Sequence, residues 1–562
     1  MNRHFVPEDL NPDCVESIEA LYKNLLNFEI PPHAADLREW ILRWSELESV
    51  LAEVSSRRYA AMTCNTADET AASSYAGFIE NAEPVMNRYG DLLRKKMMQS
   101  PALSALEPEF GMWFRNVRVA LELFNAENIP LETKLNQEIQ AYQKITGAMS
   151  VIHEGKTKTL QQMAVYLESS DRHVRENTWR AITERRLQDK EQLDAAFDKL
   201  FSLRIQIAKN SGYSHYLDYI FKAKGRFDYT PEDCRRFHES IEKLILPLQK
   251  ELYEKRRKKL GIVSLRPWDL SCDILDRAPL KPFQTGQELI EKCGAIFDKI
   301  HPQTSAWFRR LKEENLIDPE SRLGKAPGGY QIGFDESRVP FIFMNAAGTD
   351  QDIYTLLHES GHAFHQFAMA NQPIIAYRDI PSEFAEVASM SMELIGASQL
   401  NAFYPEKEEA ARSFEHELEG IIHLFPWVAS IDSFQHELYS RPNHTAQDRK
   451  EIWGSVTDRF DAGIDYSGLK DARAYLWQKQ LHLFEVPFYY IEYGIAQLGA
   501  LQVWQNFRKN PEKALRELFA AESLGSSRAL PELFSTAGAH FDFSPKTIEP
   551  LVTELWDELS KY

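Results

Sequence analysis

Apolar residues recur at three- and four-residue spacing along most of the chain, with charged residues between them. Leu37, Trp40, Ile41, Trp44, Leu47 and Leu51 mark one face of a helix in this way. The same period runs through Trp179 to Ile207, Phe237 to Leu252, Leu289 to Ile300, Ala410 to Leu424 and Pro511 to Phe519, and it predicts a mainly α fold. Polar or proline-containing breaks fall near 100–109, 128–132, 226–232, 264–284, 318–329 and 440–447, where helices should end. None is a long low-complexity linker and no repeat has a fixed period. The helices are expected to pack as one large body with a cleft between two lobes.

One stretch breaks the helical period. Gly328-Gly329-Tyr330-Gln331-Ile332-Gly333-Phe334, a polar turn Asp335-Glu336-Ser337-Arg338, and Val339-Pro340-Phe341-Ile342-Phe343-Met344 read as a hairpin or small sheet. An exposed edge there could pair with an extended peptide, or the sheet could serve only to brace the next segment of the chain.

That next segment carries the strongest motif in the chain. Thr349 and Asp352 form a capping-box start, and Ile353, Leu356, Leu357, Phe364 and Phe367 supply an apolar face, so the segment is predicted helical. His358 and His362 then lie one turn apart on the same face. In this HExxH spacing two imidazoles converge on one zinc, and the intervening Glu359 points at the open coordination position. Position 368 is alanine, which removes the third histidine of the metzincin pattern. A glutamate from a following helix is the remaining common third ligand. Pro381 to Glu393 opens such a helix and offers Glu383, Glu386 and Glu393. Glu383 falls in the first turn, where a carboxylate also favours the helix dipole. Glu386 is therefore read as the ligand and Glu393, seven residues on and on the same face, as the acceptor that orients a histidine N–H.

Composition narrows the partners. Lys plus Arg number 65 against 83 Asp plus Glu, a formal charge of −18, which repels phosphate backbones and anionic membrane surfaces. Neither nucleic acid nor membrane is expected as a partner. The five cysteines are scattered and never form CxxC, as in a reduced compartment. The start, Met1 to Leu10, lacks the apolar core of a signal peptide and no apolar run is long enough to span a bilayer. A cytoplasmic location is expected. The basic run Lys255-Arg256-Arg257-Lys258-Lys259 after Glu254 reads as a solvated helix end.

The segment His358-Glu359-x-Gly361-His362-x-x-His365, followed by Phe384-x-Glu386-x-x-Ser389-x-x-x-Glu393, closely resembles the thimet oligopeptidase and oligoendopeptidase F family of zinc metallopeptidases. Gly324 to Tyr330 is similar to that family's glycine-aromatic element, and Ser170-Asp171-Arg172-x-x-Arg175 to its upstream arginine motif. Val387-Ala388-Ser389 fits the oligoendopeptidase F branch better than the thimet branch.

The resemblance implies a large helical, two-lobed fold with a deep central channel and a small β-sheet next to the zinc helix. Residues 1–165 would be an N-terminal helical region forming part of the channel wall, and 166–562 the catalytic region. It implies one zinc ion per chain and short peptides as substrates, cut internally by a water from which Glu359 takes a proton. It places His365 as support rather than ligand. It also gives a role to Trp477 to Gly499, where a helix is predicted from near Pro487. Phe488, Ile491, Ile495 and Leu498 would form one stripe, and Tyr490, Tyr493 and Gln497 another. In the family a histidine and tyrosines here bind substrate and stabilise the oxyanion, a role that falls to His482, Tyr490 and Tyr493. The alternatives are a zinc carboxypeptidase or dipeptidyl carboxypeptidase, and a helical peptide-binding scaffold.

Overall fold

A computed structural model describes residues 3–29 and 33–562. Met1 and Asn2, with which the reading of the amino-terminal segment begins, lie outside the described residues. Helix dominates, as the periodicity predicts, and the chain divides into two compact units, each assembled from three stretches.

The first unit comprises the stretch ending at Leu121, then Leu280–Phe414 and Ala496–Phe541. Its amino-terminal core is built on the helix Ala34–Cys64, whose Leu37, Trp40, Ile41, Trp44, Leu47 and Leu51 are all buried. They pack with Ile18, Tyr22, Phe110 and Phe114, and the Trp40 indole N–H finds a partner in the Leu25 carbonyl at 2.9 Å, so the ring is buried without an orphaned donor. The predicted break at 100–109 is shorter than expected. The helix Leu103–Leu123 already contains Pro108, which removes one backbone bond and crowds the carbonyl four residues back.

The small sheet has three strands rather than two. Val339–Ala346 is central, antiparallel to Tyr330–Phe334 and parallel to Ile317–Glu320. The third strand lies in a stretch that reads from sequence as a break, because only four residues long it carries Pro319 and two acids. Lys325 locks it in place: its fully buried ammonium donates to the Asp318 carboxylate at 2.9 Å and to the carbonyls of Asp318, Glu320 and Met344. The central strand packs against the helix Asp350–Ala368, which starts at the Thr349/Asp352 capping box. That helix packs in turn along Ser382–Gly396.

The second unit comprises Glu122–Pro279, Glu415–Ile495 and Asp542–Tyr562. The long period over 179–207 is split at Asp189 into Arg172–Gln188 and Lys190–Asn210. The period over 237–252 is split at Ile245, where Pro247 opens the next helix. A short hairpin, Ser150–His153 with Lys156–Thr159, has no apolar alternation that would announce it. Arg172 and Arg175 both engage the fully buried Asp269 carboxylate, so the arginine motif ties a helix start to the short 3-10 helix Pro267–Asp269. Among the described residues no helix is long and apolar enough to cross a membrane.

Candidate metal centre

In the first unit His358 and His362 stand one turn apart with ring centroids 4.8 Å from each other. Glu386 comes to both from the next helix, its Oε2 lying 3.3 Å from His358 Nε2 and 3.7 Å from His362 Nε2. One donor atom from each of the three lies within 4.8 Å of the others. Tetrahedral zinc with bonds near 2.0–2.1 Å sets neighbouring donors roughly 3.4 Å apart, so this cradle has the dimensions of a metal site.

Glycine makes the approach possible. A Cβ built on Gly361 would sit 2.5 Å from Ser389 Cα and 2.7 Å from the Ala388 carbonyl oxygen, and one on Gly396 would strike Leu357 at 2.7 Å. The two helices therefore meet backbone to backbone, bringing Glu386 under the histidines. The Ser389 hydroxyl, one turn beyond, donates to Glu386 Oε2 at 3.0 Å. Its orienting role was available in the sequence only as a serine three residues after a candidate ligand. Glu393 lies one turn further on and accepts from His358 Nδ1 at 2.5 Å. Glu383 is buried in the first turn, outside the cluster.

The electrostatics fit a cation. Burial works against a charged His358, but the carboxylates of Glu386 and Glu393 outweigh it and raise the imidazole well above its ordinary value. Burial likewise disfavours the Glu386 carboxylate, yet His358, His362 and Ser389 hold it down to about 2. His362 is lowered to about 4 by burial and is a neutral imidazole near pH 7, the form that ligates metal. Glu359 takes no part in these hydrogen bonds. It is buried, its Oε2 has no hydrogen-bond partner, and burial pushes the carboxyl up to about 7, where a general base works best. Gly329 of the glycine-aromatic element runs alongside, a Cβ there reaching 3.9 Å from Glu359 Oε1. His365 is buried edge-on against Phe384, outside the donor cluster.

The chain belongs to peptidase family M3. The family model matches residues 165–551, and the model of the family's N-terminal domain matches 10–124. The chain is 24% identical over 446 residues to an oligoendopeptidase F homolog of Lactococcus lactis subsp. lactis, covering 77% of this chain and 68% of that protein. It is 23% identical over 394 residues to the oligopeptidase PepF of Bacillus subtilis, covering 68% and 56%. A solved structure of PZ peptidase A with an inhibitor superposes with a TM-score of 0.89 over 99% of both chains at 27% identity. This M3 chain is thus a peptidase with the helical fold of its relatives, and the family implies a metal.

In the second unit of the M3 chain, His482, Tyr490 and Tyr493 are brought together, with ring centroids of 5.0 and 5.9 Å from His482 and 5.4 Å between the tyrosines. Tyr489, which belongs to neither predicted stripe, joins them at 5.7 Å from His482 and 5.3 Å from Tyr493. The helix starts at Ile491 rather than near Pro487. Phe488 is the reason: its φ is 63°, a strained value for a bulky residue. Its N–H bonds to Gln435 Oε1, and its carbonyl accepts from the buried Arg226 guanidinium, so neither enters the helical ladder. Gln480, also unforeseen, sets the histidine. The Trp427 indole can only donate, so it takes Gln480 Oε1 at 3.0 Å. The Gln480 amide N–H then donates to His482 Nδ1 at 2.6 Å. His482 therefore carries its proton on Nε2, and burial, helped by Lys224, keeps it neutral with a pKa of about 4.

Proposed function

We propose that this protein is a zinc-dependent oligoendopeptidase that hydrolyses internal bonds of short, unstructured peptides in the cytoplasm. His358, His362 and Glu386 would hold one catalytic zinc, and Glu393 would orient His358. The observation that carries this reading is the convergence of three donors within 4.8 Å of one another beside a buried carboxylate, Glu359, with an unpartnered oxygen. When bound there, zinc supplies a Lewis acid that polarises a carbonyl and acidifies water.

The chain's own groups do the rest. Glu359 accepts a proton from the attacking water, which its upward-shifted carboxyl retains at neutral pH. It then returns that proton to the departing amine, so no covalent intermediate is needed. To His482, Tyr490 and Tyr493 we assign hydrogen-bond donation to the oxyanion. This rests on the family motif and on the Nε2–H that the Trp427–Gln480 pair leaves on His482. The carbonyl and N–H groups along the outer edge of Tyr330–Phe334 would hold the substrate backbone.

The test is mass spectrometry of products from a short peptide blocked at both ends, with the parent protein and Glu359→Gln in parallel. Internal cleavage by the parent alone supports the reading. Appreciable hydrolysis by Glu359→Gln removes Glu359 as the base. Cleavage only of peptides with a free carboxyl terminus favours the carboxypeptidase alternative.

A further inference from the structure

The second unit contains another set of metal-type donors, far in sequence from the HExxH helix. Cys234 and His238 stand four residues apart on the helix Pro231–Leu244, and Asp432 and His436 four apart on Lys407–Ser440. That spacing puts each pair on one face. The Cys234 sulfur, a carboxylate oxygen of Asp432 and a ring nitrogen of His436 lie within 4.8 Å of one another. Cys234 and Asp432 are fully buried, and His436 is 7% exposed.

The hydrogen bonding there is incomplete. His238 Nε2 donates to Asp432 Oδ2 at 2.8 Å. His436 Nε2 lies 3.2 Å from the same oxygen but does not meet it in hydrogen-bond geometry, so that both His436 ring nitrogens and Asp432 Oδ1 are left without a hydrogen-bond partner. Buried polar atoms are nearly always paired, and these three share one cluster with a thiol. Phe221 and Phe488 close over the His436 ring edge-on, at centroid distances of 6.4 and 5.5 Å, so bulk water does not account for the unmade bonds.

We propose that Cys234, Asp432 and His436 bind a second, structural metal ion of the zinc type. A thiolate, an imidazole and a carboxylate are the donors such an ion takes, and the bond from His238 to Asp432 is the orienting contact that a ligating carboxylate receives. Burial holds the Cys234 thiol well above its ordinary pKa, so uptake of the ion expels the thiol proton. The ion would pin two helices of the second unit to each other. The proposal does not depend on the peptidase reading, since the two clusters share no residue.

Cobalt(II) separates the sites spectroscopically, because the HExxH cluster contains no sulfur. The full-length chain, stripped with a chelator and titrated with cobalt(II), is expected to take up two ions. It should develop a near-ultraviolet thiolate-to-cobalt charge-transfer band. Cys234→Ser should lose the band and one ion; His358→Ala/His362→Ala should lose one ion and keep the band. If Cys234→Ser does not fold, His436→Gln gives the same comparison. A parent chain that takes up one ion without the band, or a band that survives in Cys234→Ser, overturns the proposal. A failure of the HExxH reading would show instead as unchanged uptake in the double histidine variant.

Discussion

His358 and Glu393, 35 residues apart, are joined by a hydrogen bond of 2.5 Å from imidazole Nδ1 to carboxylate Oε1. With Nδ1 committed to Glu393, His358 keeps Nε2, 3.3 Å from Glu386 Oε2, as the atom that would turn to a metal. Removing such an orienting partner typically costs 10–100-fold in metal affinity or activity. We expect Glu393→Ala to weaken zinc by about that factor, measured by competition with a chelator. Glu393→Gln should lose less, because its amide oxygen still accepts from Nδ1.

The helices that carry His358 and Glu386 touch at Gly361, where any side chain meets the Ser389 and Ala388 backbone. Backbone cannot swing aside as a side chain can, so Gly361→Ala must push the helices apart. We expect a loss of about 1–3 kcal/mol in denaturant unfolding. Metal binding should weaken further than that of a variant of equal instability made in the amino-terminal core, because the displacement separates Glu386 from His358 and His362.

His482 is held in one tautomer by the chain Trp427, Gln480, His482. Gln480→Ala frees Nδ1 and lets the proton move there, removing the Nε2–H donor for part of the population. If His482 serves the oxyanion, the variant should lower kcat by about tenfold or more, bounded by the 10²–10³ of losing a donor outright, with KM little changed. Trp427→Phe releases only the far end of the amide and should cost less. A rise in KM at constant kcat would instead make His482 a ground-state binding residue.

The HExxH helix, its cap, the hairpin before it and the glutamate helix after it were legible because each rests on local pattern: a capping box, a one-turn histidine spacing, a glycine-rich turn. Spatial neighbours distant in sequence were not. The strand Ile317–Glu320 exists because Lys325 and the central strand hold it, not because its four residues favour extended backbone. The late start of the helix at Ile491 depends on Gln435 and Arg226 capturing the Phe488 backbone. The Gln480 clamp depends on Trp427, 53 residues away. The grouping of the chain into two units of three stretches each is likewise a property of long-range contacts that helical periodicity does not encode.

Asp318 gives the sheet a pH-dependent brace. Burial disfavours its charge, but Arg322, Cys64 and Lys325 outweigh this and bring the carboxyl down from 3.8 to about 2. A group depressed in the folded state stabilises above its unfolded pKa and loses that contribution as pH falls through its folded pKa. A shift of that size corresponds to about 2 kcal/mol, present at neutral pH and fading between about pH 4 and 2. Asp318→Asn should therefore lose at least about that much at pH 7, since it also leaves the fully buried Lys325 ammonium without its counter-charge. Unfolding free energies measured from pH 7 down to 2 should show the parent and variant curves converging at the acid end. Curves that stay parallel would mean that the carboxylate is not held low by its cationic neighbours, and that the strand is secured by the Lys325 bonds to backbone carbonyls alone.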